Sequence, residues 1–188
     1  MTKRLIIGIT GASGAPLALE LLEQLKAYPE IERHVILSRC GEMTLAHEQG
    51  MTRRELASLC TCLYENDAYG AGPASGSFET MGMAVIPCSM KTLAGVATGY
   101  CDTLLLRAAD VTLKERRKLV LVPRECPLST LHLRNLTTVS ELGAVIIPPV
   151  PAYYNHPETV ADVNRQVAQK VLGQFGLGAV PEWTGMPE

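Results

Sequence analysis

The chain has 188 residues, of which 47% are hydrophobic and 19% charged, and its formal net charge is -2 at pH 7. No basic field is available for a nucleic acid or an acidic membrane surface, and no apolar run approaches the roughly 18 residues that span a bilayer. We therefore expect a cytoplasmic protein with a small molecule or another protein as partner. Residues 1–188 are predicted to form a single domain with a C-terminal tail from about residue 177.

Cysteine and histidine spacing gives no sign of a metal centre. The one close cysteine pair, Cys60 and Cys62, lacks the C-x2-C spacing and the second ligand pair of a zinc site. The four histidines are scattered along the chain. We predict free thiols and no bound metal.

Strand and helix patterns alternate along the chain. The predicted strands are residues 4–9, 34–37, 83–87, 118–123 and 144–147. The predicted helices are residues 15–26, 42–48, 52–59, 93–98, 102–117, 128–142 and 157–175. Residues 64–80, which hold Gly70, Gly72, Pro73 and Gly76, are predicted to be a loop. The alternation predicts an α/β fold with a parallel, doubly wound sheet, in which ligands bind beyond the carboxyl ends of the strands.

The turn after the first strand is Thr10-Gly11-Ala12-Ser13-Gly14-Ala15. Glycines allow a ligand to approach the backbone, and the amides of the following helix attract an anion. An ordinary tight turn with Ser13 as the helix cap is equally compatible with these residues. The poor match to G-x-G-x-x-G, and the lack of an acidic residue after the second strand, argue against an NAD site.

Polar and aromatic residues follow the later strands as well. They are Ser38, then Ser89, Met90, Lys91 and Thr92, then Arg124 and Glu125, and finally Tyr153 and Tyr154. Each set has a structural alternative: the serines can cap helices, Arg124 and Glu125 can form an ion pair, and the tyrosines can pack in a core or an interface. Several such turns on successive strands together favour a binding site for an anion or a flavin.

Seven segments of the chain carry a family resemblance: residues 10–15, 75–77, 87–92, 107–111, 113–117, 121–125 and 148–157. Their order and spacing are more specific than any one of them, and together they resemble the motifs of the UbiX-like flavin prenyltransferases. Residues 88–95 and 151–157 more specifically resemble the B component of the non-oxidative hydroxyarylic acid decarboxylases.

The resemblance implies a Rossmann-like, flavodoxin-type three-layer sandwich with a mostly parallel sheet that binds FMN. It implies transfer of a dimethylallyl group from dimethylallyl phosphate to reduced FMN, without a metal. The prenylated FMN would then pass to a UbiD-type aromatic acid decarboxylase. A homo-oligomer, typically a dodecamer with sites between subunits, is also implied.

The resemblance further implies roles for individual residues. FMN would contact Gly11, Ala12, Ser13, Ser38, Ser89, Met90, Lys91, Thr92 and Arg124. The donor would contact Arg107, Lys114, Tyr154 and Lys170, where Lys170 replaces the arginine of some relatives. Catalysis would involve Ser13, Glu48, Lys114 and Glu125. Trp183, in the tail, would correspond to a tryptophan that packs near the site.

Two other functions remain open at this stage. One is an FMN-dependent cysteine decarboxylase on the same scaffold, against which the cationic set Arg107, Lys114 and Arg124 argues. The other is a non-catalytic flavin carrier, which would keep the flavin turns but would not need a donor site. Prenyl transfer to the flavin distinguishes the main prediction from both.

Overall fold

The computed structural model describes residues 3–178 and Gly185. One sheet of six strands forms its centre, and every pair of neighbouring strands in it is parallel. The strands are β1 (Lys3–Ile9), β2 (Ile31–Leu37), β3 (Cys62–Glu65), β4 (Gly82–Cys88), β5 (Lys118–Pro123) and β6 (Val145–Ile146). Most of the predicted tail, including Trp183, lies outside the described residues.

Helices cover both faces of the sheet. They are α1 (Ala15–Gln24), α2 (Arg39–Gln49), α3 (Arg53–Ser58), α4 (Met90–Thr98), α5 (Leu104–Lys114), α6 (Thr130–Glu141) and α7 (Val160–Gly173). Side chains of β1 alternate between two apolar clusters: Leu5 and Ile7 pack with α1 and α7, whereas Ile6 packs with α4, α5 and α6. This arrangement confirms the predicted three-layer α/β sandwich. None of the helices in the described part of the chain is long and apolar enough to cross a membrane.

The strand order is β3-β2-β1-β4-β5-β6. The five strands that the sequence predicts stand in the flavodoxin order, and β3 at the edge extends this to the Rossmann order. In both orders the chain reverses its direction of winding beside β1. The carboxyl ends of β1 and its two neighbours, β2 and β4, therefore surround the crevice where such sheets bind ligands.

The predicted loop over residues 64–80 is wrong at its start, because Tyr64 and Glu65 belong to β3. This strand has only four residues and pairs with β2 alone, so its side chains are half-buried or exposed and show no apolar run. The rest of the segment is irregular apart from a short 3₁₀ turn at Gly72–Ala74. Helix α2 begins at Arg39 rather than at residue 42, because Ser38 caps it.

Candidate functional site

Thr10, which follows β1, joins the end of this strand to the end of β4, where the direction of winding reverses. It is only 2% exposed. Its hydroxyl donates a hydrogen bond of 2.7 Å to the carbonyl of Pro87 and accepts one of 2.9 Å from the amide of Ser89. The turns after β1 and β4 are therefore fixed to each other by one side chain, which holds the floor of the crevice in place.

A cleft of about 350 Å³ opens at this edge of the sheet; we call it the carboxyl-edge cleft. Its lining includes Gly11, Ser38, Arg39, Cys40, Asn66, Ser89, Lys91, Thr92 and Thr103. Three of the predicted flavin turns thus meet in one cavity.

Ser38 and Ser89 are both helix caps, as the structural alternative predicted. The Ser38 hydroxyl accepts from the amide of Gly41 at 3.0 Å, and the Ser89 hydroxyl accepts from the amide of Thr92 at 3.3 Å. Two amides in the first turn of α2 and two in the first turn of α4 have no hydrogen-bond partner within residues 3–178. Capping and ligand binding are therefore compatible, because these amides remain free to donate to an anion.

The cleft requires bare backbone at Gly11. A Cβ atom on Gly11 would collide with the Cβ of Cys40, and one on Gly41 would lie 2.6 Å from the carbonyl oxygen of Ile9. The turn after β1 and the first turn of α2 are therefore in direct contact. A flavin nucleotide fits this lining, since the cleft offers backbone amides, hydroxyls and the cations Arg39 and Lys91 to its phosphate.

The side chain of Glu48 caps the amino terminus of α1. Its carboxylate accepts hydrogen bonds from the amide of Ala15 at 2.8 Å and from the amide of Gly14 at 3.0 Å. Pro16, next in the helix, has no amide hydrogen. The anion that the sequence predicts at this helix terminus is therefore supplied by the chain itself.

Ser13 and Arg124 act on the same carboxylate. Burial alone would raise the pKa of Glu48, but hydrogen bonds from Ser13, Gly14 and Ala15, together with the charge of Arg124, outweigh it and lower the pKa. The three side chains line one open cavity of about 500 Å³. The structure thus brings Ser13, Glu48 and Arg124 together, with Glu48 in its ionised form.

The remaining predicted residues lie in three other places. Glu125 is exposed, and its carboxylate accepts from the amide of Cys126 at 3.1 Å. Tyr154 and Lys170 line a separate cavity of about 340 Å³ beside β6. Arg107 and Lys114 lie on α5, where Arg107 contacts Asp110 at 2.6 Å and Lys114 forms an ion pair with Glu115.

Helix α5 carries Lys114 away from the carboxyl-edge cleft. Thr103, just before the helix, lines the cleft, whereas Lys114 lies at the other end, close to the start of β5. At about 1.5 Å per residue, the eleven steps from Thr103 to Lys114 correspond to about 16 Å along the helix. Within one chain the predicted flavin contacts and Lys114 therefore belong to opposite edges of the sheet.

Sequence reasoning missed Asn66. Its backbone carbonyl and its side-chain oxygen accept from the amides of Leu104 and Leu105, at 2.8 and 3.1 Å, and it also lines the cleft. Asn66 follows β3, so recognition of that strand was the signal that could have found it. Among the described residues no group of three or more His, Cys, Asp or Glu side chains is placed to hold a metal ion.

Comparison with known proteins gives matches over nearly the whole chain. Residues 1–176 match the model of the family described as Flavoprotein. A probable UbiX-like flavin prenyltransferase of Escherichia coli O157:H7 is 50% identical over 187 residues, which are 98% of this chain and 95% of that protein.

Two solved structures match the fold closely. A dodecameric FMN-dependent UbiX-like decarboxylase from Escherichia coli O157:H7 is 50% identical, with a TM-score of 0.94 over 97% of this chain and 100% of that one. AnUbiX in complex with FMN and dimethylallyl pyrophosphate is 40% identical, with a TM-score of 0.95 over 100% of both chains.

Proposed function

Because the chain belongs to the flavoprotein family and, within it, to the UbiX-like flavin prenyltransferases, we propose that it transfers a dimethylallyl group from dimethylallyl phosphate to reduced FMN. The observation that carries the proposal is the carboxyl-edge cleft, where free amides of two helices meet serine, threonine and lysine side chains. The related AnUbiX binds FMN together with a dimethylallyl pyrophosphate, which supports this pair of substrates.

The turns of the cleft would hold FMN. The free amides of α2 and α4, with Lys91, suit its phosphate, and the turn at Gly11, Ala12 and Ser13 suits close contact with the rest of the molecule. Met90 and Thr92 lie in the same first turn of α4. When bound, reduced FMN supplies the nucleophilic ring atoms that take up the prenyl group.

Ser13, Glu48 and Arg124 would orient groups beside the flavin. The Glu48 carboxylate already accepts from Ser13, Gly14 and Ala15, so it is better suited to hold Ser13 in place than to take a proton. Glu125 accepts from one backbone amide and is exposed, so we assign proton uptake to Glu125.

Cationic side chains would hold the donor phosphate. Arg107, Lys114, Arg124 and Lys170 carry positive charge, and Tyr154 carries a hydroxyl on an aromatic ring. Positive groups that face a departing phosphate stabilise the transition state most strongly where water is excluded, and in this role they replace a metal ion. The ring of Tyr154 would stabilise the allylic fragment as it becomes positively charged.

We further propose that the active site is completed between copies of the chain. The donor residues occupy separate cavities and opposite sheet edges of one chain, so they converge only if another subunit supplies some of them. The related Escherichia coli protein is dodecameric, and a homododecamer is the assembly that we propose here. A UbiD-type decarboxylase as recipient of the product, the single domain and the cytoplasmic location stay predictions.

The test is incubation of the purified protein with reduced FMN and dimethylallyl phosphate, followed by mass spectrometry of the extracted flavin. We expect a gain of one prenyl unit, and a parallel arm with dimethylallyl diphosphate reports which donor is used. A flavin of unchanged mass in both arms would reject the proposed function. Decarboxylation of a cysteine peptide without prenyl transfer would identify the protein as a cysteine decarboxylase. FMN binding without either reaction would identify it as a flavin carrier.

A further inference from the structure

Residues 70–80, called here the glycine-rich loop, are attached by arginines to α5 and to the turn that follows it. Arg117 donates from one nitrogen to the carbonyl of Gly76 at 2.6 Å and from another to the carbonyl of Phe78 at 2.9 Å. Arg107 donates to the carbonyl of Ala74 at 3.2 Å. Guanidinium groups on this side of the loop thus bind three of its carbonyls, and Arg4 on the other side binds a fourth, that of Glu79, at 3.5 Å.

The other side of the glycine-rich loop is attached to the sheet. The ring of Phe78 packs edge-on against His34, with ring centres 5.1 Å apart, and the guanidinium of Arg4 lies 4.7 Å from the centre of the Phe78 ring. Arg4 also bonds Glu32 at 2.9 Å, which fixes its position. The loop is therefore held between the first strands of the sheet and the end of α5.

Gly76 lies directly beside the pair of Lys114 and Glu115. A Cβ atom at Gly76 would collide with a carboxylate oxygen of Glu115 and lie 2.9 Å from Nζ of Lys114. At its present position the ion pair thus lies against the bare backbone of Gly76. A shift of that backbone would therefore move one wall of the space that the Lys114 ammonium group occupies.

We propose that Arg117 is a positioning residue for the donor site: by fixing the carbonyls of Gly76 and Phe78, it places the ammonium group of Lys114 for the donor phosphate. The inference rests on the proposed function, in which Lys114 binds that phosphate. Arg117 is the last residue of the family segment 113–117, and Gly76 belongs to the family segment 75–77. The sequence alone does not show that these two segments are in contact.

Arg117→Lys is the decisive variant, because lysine keeps the charge but lacks the planar group that reaches two carbonyls at once. We expect the KM for dimethylallyl phosphate to rise about tenfold, the factor that corresponds to about 1.4 kcal/mol. The kcat should fall as well, because Lys114 also stabilises the departing phosphate, whereas the Kd for FMN should stay within about twofold. An equal loss of FMN affinity would indicate a general structural defect. Amide hydrogen exchange of residues 75–80 should become faster.

Arg116→Lys is the matched control, because Arg116 is the exposed neighbour and its side chain makes no hydrogen bond or ion pair among the described residues. It should leave both the exchange rates and the KM unchanged. Gly76→Ala provides an independent variant, with a raised KM caused by displacement of Lys114. In that background, Glu115→Ala should restore the KM in part, because it removes the carboxylate that the new methyl group meets.

The outcomes separate this inference from the proposed function. Suppose that the wild type transfers the prenyl group. The inference is then overturned if amide hydrogen exchange of residues 75–80 is unchanged in Arg117→Lys, or if it is faster while the KM is unchanged. Parallel losses of kcat, donor affinity and FMN affinity would overturn it too. Absence of transfer by the wild type would reject the proposed function and this inference together.

Discussion

The Glu48 carboxylate lies 2.8 Å from the amide nitrogen of Ala15, across the gap between α2 and α1. Acidic groups at a helix amino terminus are usually supplied by the first turn or by the cap residue, but α1 has no acidic residue in its first turn and no side-chain cap of its own. A residue 33 positions along the chain takes that role instead. The contact also ties α2 to the turn that carries Ser13.

Glu48→Ala should therefore destabilise the protein by about 1–2 kcal/mol, the usual cost of losing a helix cap. Glu48→Gln should cost less, because an amide oxygen still accepts from Gly14 and Ala15. Urea denaturation of both variants checks this, with Glu30→Gln, an exposed position, as the control. Equal stability of Glu48→Ala and the wild type would contradict a capping role.

The lowered pKa of Glu48 predicts that the free energy of unfolding depends on pH. The pKa of Glu48 is lower in the folded chain than its usual 4.5, so the stability gained from its charge is complete above the usual value. That gain is lost as the pH falls through the lower pKa of the folded state. The difference in unfolding free energy between the wild type and Glu48→Gln should therefore be largest near neutral pH and shrink below 4.5. A difference that stays constant across this range would show that charge is not involved.

Thr10→Val tests the bond between the turns after β1 and β4. Valine keeps the shape of the side chain but leaves the Pro87 carbonyl and the Ser89 amide without the hydroxyl, which costs about 1–3 kcal/mol for each unsatisfied buried group. We expect lower stability and weaker FMN binding, measured by denaturation and by flavin fluorescence titration. Thr10→Ser, which keeps the hydroxyl, should behave nearly as the wild type.

The sequence predicted the central strands because β1, β4 and β5 are buried on both faces and appear as apolar runs. It did not predict β3, whose four residues pair on one side only. The serine caps and the polar turns were recognisable locally, since a cap and its helix are adjacent in the chain. The contacts of Glu48 with Ala15 and of Arg117 with Gly76 were not, because they join segments that only the fold brings together.

Lys91→Met should weaken FMN binding by a factor of about 10 to 150, since a charge-assisted contact to a phosphate is worth roughly 1.5–3 kcal/mol. Riboflavin, which lacks the phosphate, should bind the variant and the wild type equally. Titration of both flavins at low and high salt checks this, because the effect on FMN should shrink as salt screens the charge. Lys118→Met, at the opposite edge of the sheet, is the control and should bind FMN normally. An equal loss of riboflavin binding would place Lys91 away from the phosphate.

Lys114→Met and Glu125→Gln should nearly abolish prenyl transfer while FMN still binds. Neither residue is part of the carboxyl-edge cleft, so the flavin contacts are unaffected. Flavin mass spectrometry reports transfer, and fluorescence titration reports binding. A variant that loses FMN affinity but keeps its turnover would contradict the assignment of that residue to the donor side.

Mixed oligomers test whether two chains build one active site. Lys114→Met and Arg124→Met, co-expressed with different tags and purified through both, should each be inactive alone. If Lys114 acts in the site of a neighbouring subunit, random mixing restores native pairs at about a quarter of the sites, and activity should return to about that fraction of the wild type. Mixing two preparations of the same variant is the control and should give no recovery. Mixed oligomers without activity would mean that both residues serve the site of the same subunit. That outcome would contradict a shared site, which we infer from the distance of about 16 Å along α5 between Lys114 and the cleft.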